Sequence, residues 1–456
     1  MADSYDVIVI GSGPGGYVAA IRAAQLGLNT AVVEKDQTGG RCLNYACMPA
    51  KTVLHAAEVY DEAKNGASEL GIEVEGVSVN WKGVQEKREE VREGLTGGVA
   101  GLFKKNEIDL IEGEGKLVGD GKVEVDGDTY EAKNILLATG SVAQTIPGAE
   151  FGDRVLDTWG AWSLGSMPKT MAVVGAGASG AEIASAYGRL GAEVTLIEML
   201  DQILPAEDKD MAKVVERAFK KQNITVLKET KVEDVEAGSD SVKLKAGEEE
   251  LEVDYLVIAG GRAPDVEGLG LKDAGVETGE NGKITVDDTQ KTSADGIYAI
   301  GDLTPGPALA HKASDEGIVA VEAMAGEKPH PVDIDRVPAG TFCHPQVASV
   351  GLTEAQAKEA GHEVKVGKFK LGGIGAAAIY DDRDGMVKIV ADATYGEILG
   401  AHVVGNTACN MIPELVNAQA LEGGYQELAR IMHPHPTMSE AVMEAARAVD
   451  GWATHA

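Results

Sequence analysis

The sequence predicts an α/β fold in which one strand–turn–helix–strand unit is used twice and an α+β region follows. Residues 5–34 read as a strand, a glycine-rich turn, a helix and a second strand, and residues 170–198 repeat that order at the same spacing. After about residue 332, strand-like segments alternate with helical runs, and the glycine pattern does not recur. A chain of 456 residues allows about three domains of ~150 residues each.

The turn of the first unit, GSGPGG, places Gly11, Gly13 and Gly16 in the GxGxxG spacing between a strand and a helix. Glycines at these positions let a pyrophosphate approach the backbone and lie at the helix N-terminus. Glu34 ends the next strand, where a carboxylate can accept a hydrogen bond from a ribose hydroxyl. Because the whole strand–turn–helix context is present, this unit predicts a dinucleotide-binding site.

The second unit repeats the pattern with Gly175, Gly177 and Gly180, and its second strand leads into Glu198. Two copies of the unit in one chain imply two bound dinucleotides. The Glu198 carboxylate can accept a free ribose hydroxyl but repels a 2′-phosphate, and no arginine follows in MLDQILPAED to bind that phosphate. The second site is therefore predicted to prefer NAD over NADP.

Cys42 and Cys47 form a local pair in TGGRCLNYACMPAK, in a chain that has only four cysteines. The run from Lys51 onward predicts a helix, and Pro49 suits its first turn. A cysteine just before a helix start lies at the positive end of the helix dipole, which favours its thiolate and lowers its pKa. From the residues alone, a redox dithiol and a pair of buried structural cysteines both remain possible.

Three further segments fall at predicted strand ends. Thr139–Gly140 and Gly260–Gly261 follow apolar strands, and we interpret both as crossings of the chain between domains, although ordinary strand–turn boundaries fit equally well. Asp302 follows the strand GIYAI and precedes a helical run, a position that suits the ribityl hydroxyls of a flavin. The same aspartate could instead be a simple helix cap.

The segment RIMHPHPTMSEAVMEAARAV predicts a turn followed by an amphipathic helix that starts at Ser439–Glu440. His435 and Glu440 could meet across that turn, and a carboxylate on one imidazole nitrogen makes the other nitrogen a general base near neutral pH. In the alternative interpretation, Thr437 and Glu440 form a capping box and the histidine only fills the turn.

Composition excludes some classes of partner. Acidic residues outnumber basic ones, 73 against 41, and the formal net charge of −32 is spread along the chain. A field of that sign repels phosphate backbones, so nucleic acid is disfavoured as a partner, and the acidity is typical of adaptation to high salt. We expect no membrane-spanning helix, no resident metal and a reducing cytoplasm, with Cys343 and Cys409 as core or half-buried thiols.

Several motifs together resemble those of a known family. GGRCLNYACMPAK, the two glycine units, YAIGD, AHKASDEG and HPHPTMSE occur in the order found in the flavin-dependent pyridine nucleotide–disulfide oxidoreductases, over nearly the full length of the chain. Within that family the chain is most similar to the dihydrolipoyl dehydrogenases. The resemblance implies FAD and NAD as cofactors, Cys42 as the sulfur that exchanges with substrate, and Cys47 as the thiolate against the flavin. It implies that His435, held by Glu440, is the acid–base residue and acts across the interface of a homodimer, with a cis peptide bond at Pro436.

The resemblance also implies further cofactor contacts and a domain division. Lys51 and Glu182 match a pair that family members place near flavin N5, and Asp302 matches the FAD-binding aspartate. The other residues that we assign to cofactor binding are Thr139, Gly140 and Gly261. The implied domains are an FAD-binding domain (1–144 and 262–331), an NAD-binding domain (145–261) and a C-terminal dimerisation domain (332–456).

The implied activity is reoxidation of dihydrolipoamide groups on a lipoyl-bearing acyltransferase or a glycine-cleavage carrier protein. The alternative is an NAD(P)H-dependent reductase of another small disulfide, such as bis-γ-glutamylcystine; a third possibility is an assembly subunit that binds FAD as a scaffold. The chain departs from the family at Arg41, Ala46 and Ala50, where threonine, glycine and serine are usual, and Gly372–Ile379 lacks the usual polar residues. Arg41 should favour a thiolate at Cys42.

Overall fold

The computed structural model describes residues 4–279 and 281–455. The strands are β1 (Ser4–Ile10), β2 (Thr30–Glu34), β3 (Asp109–Glu112), β4 (Gly115–Gly119), β5 (Lys122–Val125), β6 (Asp128–Leu137), β7 (Ser141–Ala143), β8 (Val155–Leu156), β9 (Thr170–Val174), β10 (Glu193–Ile197), β11 (Ile224–Leu227), β12 (Val232–Ala237), β13 (Val242–Ala246), β14 (Glu249–Val253), β15 (Tyr255–Ile258), β16 (Arg262–Pro264), β17 (Ile297–Ala299), β18 (Ala339–Thr341), β19 (Gln346–Gly351), β20 (Val364–Lys370), β21 (Met386–Asp392) and β22 (Ile398–Gly405). The α-helices are α1 (Pro14–Gln25), α2 (Gly40–Asn44), α3 (Cys47–Asp61), α4 (Trp81–Lys105), α5 (Thr158–Trp162), α6 (Ala178–Leu190), α7 (Lys209–Phe219), α8 (Ala310–Met324), α9 (Glu354–Glu359), α10 (Gly375–Ile379), α11 (Ala408–Ala420), α12 (Tyr425–Leu428) and α13 (Glu440–Val449).

The described residues form two compact units. Unit 1 comprises residues 4–52, 82–144, 261–279 and 281–334, and unit 2 comprises 53–81, 145–260 and 335–455. The predicted α/β class is confirmed, with both strand–turn–helix–strand units at their predicted places: β1–α1–β2 and β9–α6–β10. The division into three domains stays a prediction.

Unit 1 is built on a sheet with strand order β3-β2-β1-β6-β5-β4, in which β17 also pairs with β6. β1 lies parallel to both β2 and β6. Because side chains on a strand alternate between faces, Val7 and Val9 pack with α1 while Ile8 and Ile10 pack in a second cluster on the other face. Burial on both faces explains why the strand reads as a continuous apolar run.

Unit 2 contains a parallel sheet, β11-β10-β9-β15-β8, a small antiparallel sheet of β12, β13 and β14, and the antiparallel sheet β18-β19-β22-β21-β20. Helices α11 and α13 pack on the last of these sheets, in the cluster that includes Leu415 and Val442. This confirms the predicted α+β character after residue 332. Cys343 is buried and Cys409 is half-buried, as expected.

A buried ion cluster joins α7 to the C-terminal sheet within unit 2. Lys388 on β21 is 3% exposed, and its Nζ lies 2.8 Å from Asp208 Oδ2, 3.0 Å from Asp210 Oδ2 and 2.9 Å from Glu354 Oε2. Burial alone would lower the pKa of Lys388, but the three carboxylates raise it above its ordinary value. A charge buried this deeply is retained only because it is paired.

Over the described residues, none of the helices has the length and apolar character that crossing a membrane requires.

Candidate active site

The first glycine turn shows three distinct local environments. Gly11 has φ +102°, and a Cβ there would lie 2.4 Å from the carbonyl oxygen of Ala138. A Cβ on Gly16 would lie 1.9 Å from the Gly11 carbonyl oxygen, so α1 starts too close to the turn for any side chain. A Cβ on Gly13, in contrast, would meet nothing within 4 Å. The turn therefore leaves open space where a pyrophosphate would lie at the start of α1.

The second glycine turn reproduces this arrangement. Gly175 has φ +93°, and a Cβ there would lie 2.7 Å from the Cα of Gly260. A Cβ on Gly180 would lie 1.8 Å from the Gly175 carbonyl oxygen, while a Cβ on Gly177 would again meet nothing within 4 Å. In both glycine turns, the first and third glycines leave no space for a side chain, while the second faces open space. A bound dinucleotide requires this arrangement, and the residues present fit FAD and NAD.

The two predicted ribose-binding carboxylates also occupy equivalent positions. Glu34 Oε2 accepts a hydrogen bond from the backbone N–H of Ser12 at 2.9 Å, and Glu198 Oε2 accepts one from the backbone N–H of Ala176 at 2.7 Å. In each case the other carboxylate oxygen accepts from the N–H two residues further along the chain. The carboxylates are therefore fixed against the glycine turns before any ligand binds.

The cysteine pair lies on two consecutive helices. Cys42 is the third residue of α2 and Cys47 is the first residue of α3. Gly39 (φ +93°) and Gly40 (φ +58°) bend the chain into α2, and the buried Asn44 side chain donates to the carbonyl oxygen of Gly40 at 2.9 Å. We refer to residues 37–44 as the redox turn. Both cysteines are free thiols in this structure, and their side chains lie close enough to interact with each other.

The surroundings of Cys42 shift the pKa of its thiol. The hydrogen bond with Cys47 and burial raise the pKa of the Cys42 thiol, although the positive charge of Lys51 acts in the opposite direction. Arg41 is not among the groups that shift this pKa most, so its expected effect on Cys42 stays a prediction. Cys47, as the first residue of α3, lies at the positive end of the helix dipole, and its role as the thiolate against the flavin stays a prediction.

Thr139 and Gly140 lie next to a two-stranded crossing in unit 1. β7 pairs antiparallel with β16, and the Gln144 N–H donates to the Gly261 carbonyl at 3.1 Å. The Thr139 hydroxyl donates to the carbonyl of Asp265 at 2.6 Å, and the Asp265 N–H donates to the Gly140 carbonyl at 2.9 Å. The interpretation of both segments as crossings between domains stays a prediction.

The Asp302 carboxylate accepts a hydrogen bond from the Ser141 hydroxyl, which in turn accepts one from Arg262 Nε at 2.8 Å. Asp302 lies in a short turn, and α8 starts only after Leu309, so the helix-cap alternative is wrong. Sequence reasoning missed Ser141 and Arg262. Their only signal was position, directly after Thr139–Gly140 and Gly260–Gly261.

A buried ion pair holds the peptide groups next to Asp302. Lys312 Nζ lies 2.8 Å from Glu316 Oε1, and the two side chains are 0% and 1% exposed. Glu316 Oε2 accepts from the Gly301 N–H at 2.7 Å, while Lys312 donates to the Gly301 carbonyl at 3.1 Å and to Thr304 Oγ1 at 3.2 Å. The N–H and the carbonyl of Gly301 (φ +72°) are thus both hydrogen-bonded to this ion pair. Burial raises the pKa of Glu316.

His435 meets Glu440 as predicted: Nδ1 lies 2.9 Å from Oε1, and the His435 side chain is 74% exposed. The other oxygen of Glu440 accepts from the Thr437 N–H at 2.9 Å, but the Thr437 hydroxyl donates to the Pro434 carbonyl. Only half of the alternative capping box is therefore present. The His435–Pro436 peptide bond is cis, as expected. Burial would raise the pKa of Glu440, but the hydrogen bonds from Thr437 and His435 lower it.

The two residues predicted near flavin N5 lie in different units. Lys51 is on α3, one turn after Cys47, in unit 1. Glu182 is buried on α6 in unit 2, where its Oε1 accepts from the Phe342 N–H at 2.9 Å. Their joint role at the flavin stays a prediction.

Comparison with known proteins gives a consistent result over almost the whole chain. Residues 5–317 match the family model of the pyridine nucleotide-disulphide oxidoreductases, and residues 337–446 match the dimerisation domain of that family. The dihydrolipoyl dehydrogenase of Bacillus subtilis is 42% identical over 475 residues, covering 100% of each chain. Dihydrolipoyl dehydrogenase 3 of Pseudomonas putida is 43% identical over 464 residues, covering 99% of each.

Among solved structures, LpdA from Mycobacterium tuberculosis matches with a TM-score of 0.90 and 28% identity, over 98% of this chain and 99% of that one. The two family matches and the full-length relatives agree with the paired glycine turns and the cysteine pair. The chain therefore belongs to the pyridine nucleotide-disulphide oxidoreductase family.

Proposed function

We propose that the protein acts as a dihydrolipoyl dehydrogenase, reoxidising dihydrolipoamide groups through a Cys42–Cys47 disulfide and FAD to reduce NAD. The observation that carries this proposal is the contact between the redox turn and the first glycine turn. A Cβ on Gly40 would lie 2.6 Å from the Cα of Gly13, so the backbones of the two turns touch. A dithiol two residues beyond that contact is built against a dinucleotide site, as electron transfer between them requires.

The cofactor sites follow from the two glycine units. The open space at Gly13 and the carboxylate of Glu34 would hold the pyrophosphate and ribose of FAD, and Asp302 its ribityl hydroxyls. Gly177 and Glu198 would hold the corresponding groups of NAD. Bound FAD supplies the two-electron chemistry that connects the cysteine pair with NAD.

The proton and sulfur chemistry follows from the chain's own residues. Glu440 holds His435 through Nδ1, so Nε2 accepts a proton from a substrate thiol. The substrate thiolate attacks Sγ of Cys42, the Cys42–Cys47 bond breaks, and Cys47 leaves as a thiolate. The second substrate thiol then attacks the substrate sulfur of the mixed disulfide and releases Cys42. One proton ends on Cys42 and one on His435, which agrees with the raised pKa of Cys42.

The assembly supports this chemistry. The match to the dimerisation domain supports a homodimer. We infer that His435 acts across the subunit interface, since its side chain is 74% exposed at the surface of its own chain. The lipoyl group would be carried by an acyltransferase or a glycine-cleavage carrier protein in the cytoplasm, the compartment that the few cysteines favour.

Steady-state rates test the assignment. The purified protein is assayed with dihydrolipoamide plus NAD, and in parallel with bis-γ-glutamylcystine plus NADPH or NADH. We expect kcat/KM for the first pair to exceed that for the second by at least a hundredfold. A higher value with the small disulfide would replace the proposal by the reductase alternative. No turnover with either pair, in protein that contains FAD, would indicate a scaffold.

A further inference from the structure

The two glycine turns differ at the residue between their first and second glycines. In the first unit this residue is Ser12, which is fully buried. Its hydroxyl donates to Glu34 Oε2 at 2.5 Å and accepts a hydrogen bond from the buried backbone N–H of Gly39 at 3.0 Å. A single hydroxyl therefore connects the ribose-binding carboxylate to the residue that precedes α2, three residues before Cys42.

The second unit serves as an internal comparison. Ala176 occupies the equivalent position and makes the same backbone contact to Glu198, but it has no hydroxyl. No redox turn follows Glu198 in the sequence. The carboxylate is thus held in both units, and the additional hydroxyl occurs only where a redox turn docks. Holding Glu34 alone does not explain Ser12, because its backbone N–H already binds that carboxylate.

We propose that Ser12 is a positioning residue that ties the redox turn to the dinucleotide-binding carboxylate, so that Cys42 is held in register with the bound cofactor. The Ser12 hydroxyl binds the N–H of Gly39, whose left-handed conformation (φ +93°) sets the direction in which α2 begins. Without the hydroxyl, the buried N–H of Gly39 has no hydrogen-bond acceptor. The redox turn then changes conformation so that this N–H can bind another acceptor. The inference depends on the proposed function only for the redox role of Cys42.

Two variants of the FAD-loaded protein test the proposal: S12A, which gives the first unit the residue found in the second, and A176S as the matched control. Hydrogen exchange is measured at Gly39 and at Gly40, whose N–H donates to the Gln37 carbonyl and does not involve Ser12. The long-wavelength flavin–thiolate absorbance after two-electron reduction is measured on the same samples at saturating FAD.

In S12A we expect exchange at Gly39 to become at least tenfold faster while Gly40 stays within threefold of wild type, and the absorbance to fall by at least a third. A176S should change neither quantity. Unchanged Gly39 exchange and absorbance in S12A would overturn the proposal. An equal rise at Gly39 and Gly40 would also overturn it, because it would show general loosening. If the wild type itself lacked the band, the proposed function would fail, while the exchange measurement would still decide the role of Ser12.

Discussion

The buried pair Lys312–Glu316 should be far more important for stability than its sequence spacing suggests. Lys312→Met removes the cation that lies 2.8 Å from Glu316, whose side chain is only 1% exposed. It also removes the donor to the Gly301 carbonyl and to Thr304. Breaking one partner of a buried ion pair typically costs roughly 3–5 kcal/mol, and we expect Lys312→Met to lower the free energy of unfolding by that amount.

The double variant K312M/E316Q and the single variant Lys82→Met serve as controls for this prediction. In K312M/E316Q the glutamine can still accept from the Gly301 N–H, and no buried charge remains. The double variant should therefore be less destabilised than the sum of the single variants, with a coupling of roughly 1–3 kcal/mol. Lys82 and Glu86 have the same i,i+4 spacing at 3.5 Å, but they are 85% and 66% exposed. Lys82→Met should cost less than about 0.5 kcal/mol.

The assay is equilibrium urea unfolding of the FAD-loaded protein, followed by circular dichroism and by flavin fluorescence as a report on the Asp302 turn. Burial holds the pKa of Glu316 above its ordinary value even beside Lys312, so the unpaired carboxyl in K312M should titrate higher still. A raised carboxyl pKa means that the folded state keeps its proton longer, so the lost stability should return as pH falls through that pKa. Equal losses for K312M and K82M, or strict additivity in the double variant, would refute this reasoning.

Three other changes test the proposed general base, the NAD preference and a buried histidine of unit 2. His435→Ala should lower turnover by about 10²–10⁴ with FAD still bound, because a general base is lost; undiminished kcat would remove His435 from the mechanism. Glu198→Ala should lower the ratio of kcat/KM for NAD to that for NADP, and an unchanged ratio would count against its ribose role. Burial and the charge of Arg189 lower the pKa of His344 to about 4, so the unfolded chain takes up its proton first as pH falls from 6.5. The free energy of unfolding should therefore decline between about pH 6.5 and 4, and His344→Gln should remove up to about 3 kcal/mol of that decline. The same pH profile in wild type and His344→Gln would show that His344 does not cause the decline.

Features that depend on local pattern could be predicted from the sequence. Each glycine turn lies in an unbroken strand–turn–helix segment, and the position of Gly16 against Gly11 follows from that segment alone. The meeting of His435 with Glu440 spans only five residues of a turn and a helix start. In these cases the chain has little freedom once the local elements form.

Features that depend on three-dimensional proximity were missed. The Cys42 pKa is shifted upwards by its interaction with Cys47 and by burial, and neither can be read from the charges in the sequence. Lys312 and Glu316 look like an ordinary surface pair at i,i+4 until their burial is known. The Ser12 hydroxyl bonds to a residue 27 positions away, at a place where the GxGxxG pattern accepts any small residue.

In the proposed mechanism, reduction leaves a proton on Cys42 and a thiolate on Cys47 beside the flavin. The most direct measurement is an anaerobic titration of the FAD-loaded protein with dihydrolipoamide, followed by visible absorbance, for wild type, Cys42→Ser and Cys47→Ser. We predict a long-wavelength band in reduced wild type and, without any reductant, in Cys42→Ser, where the Cys47 thiolate persists. Cys47→Ser should bind FAD and show no band. A band in Cys47→Ser, or no band in wild type with FAD bound, would show that Cys47 is not the thiolate beside the flavin.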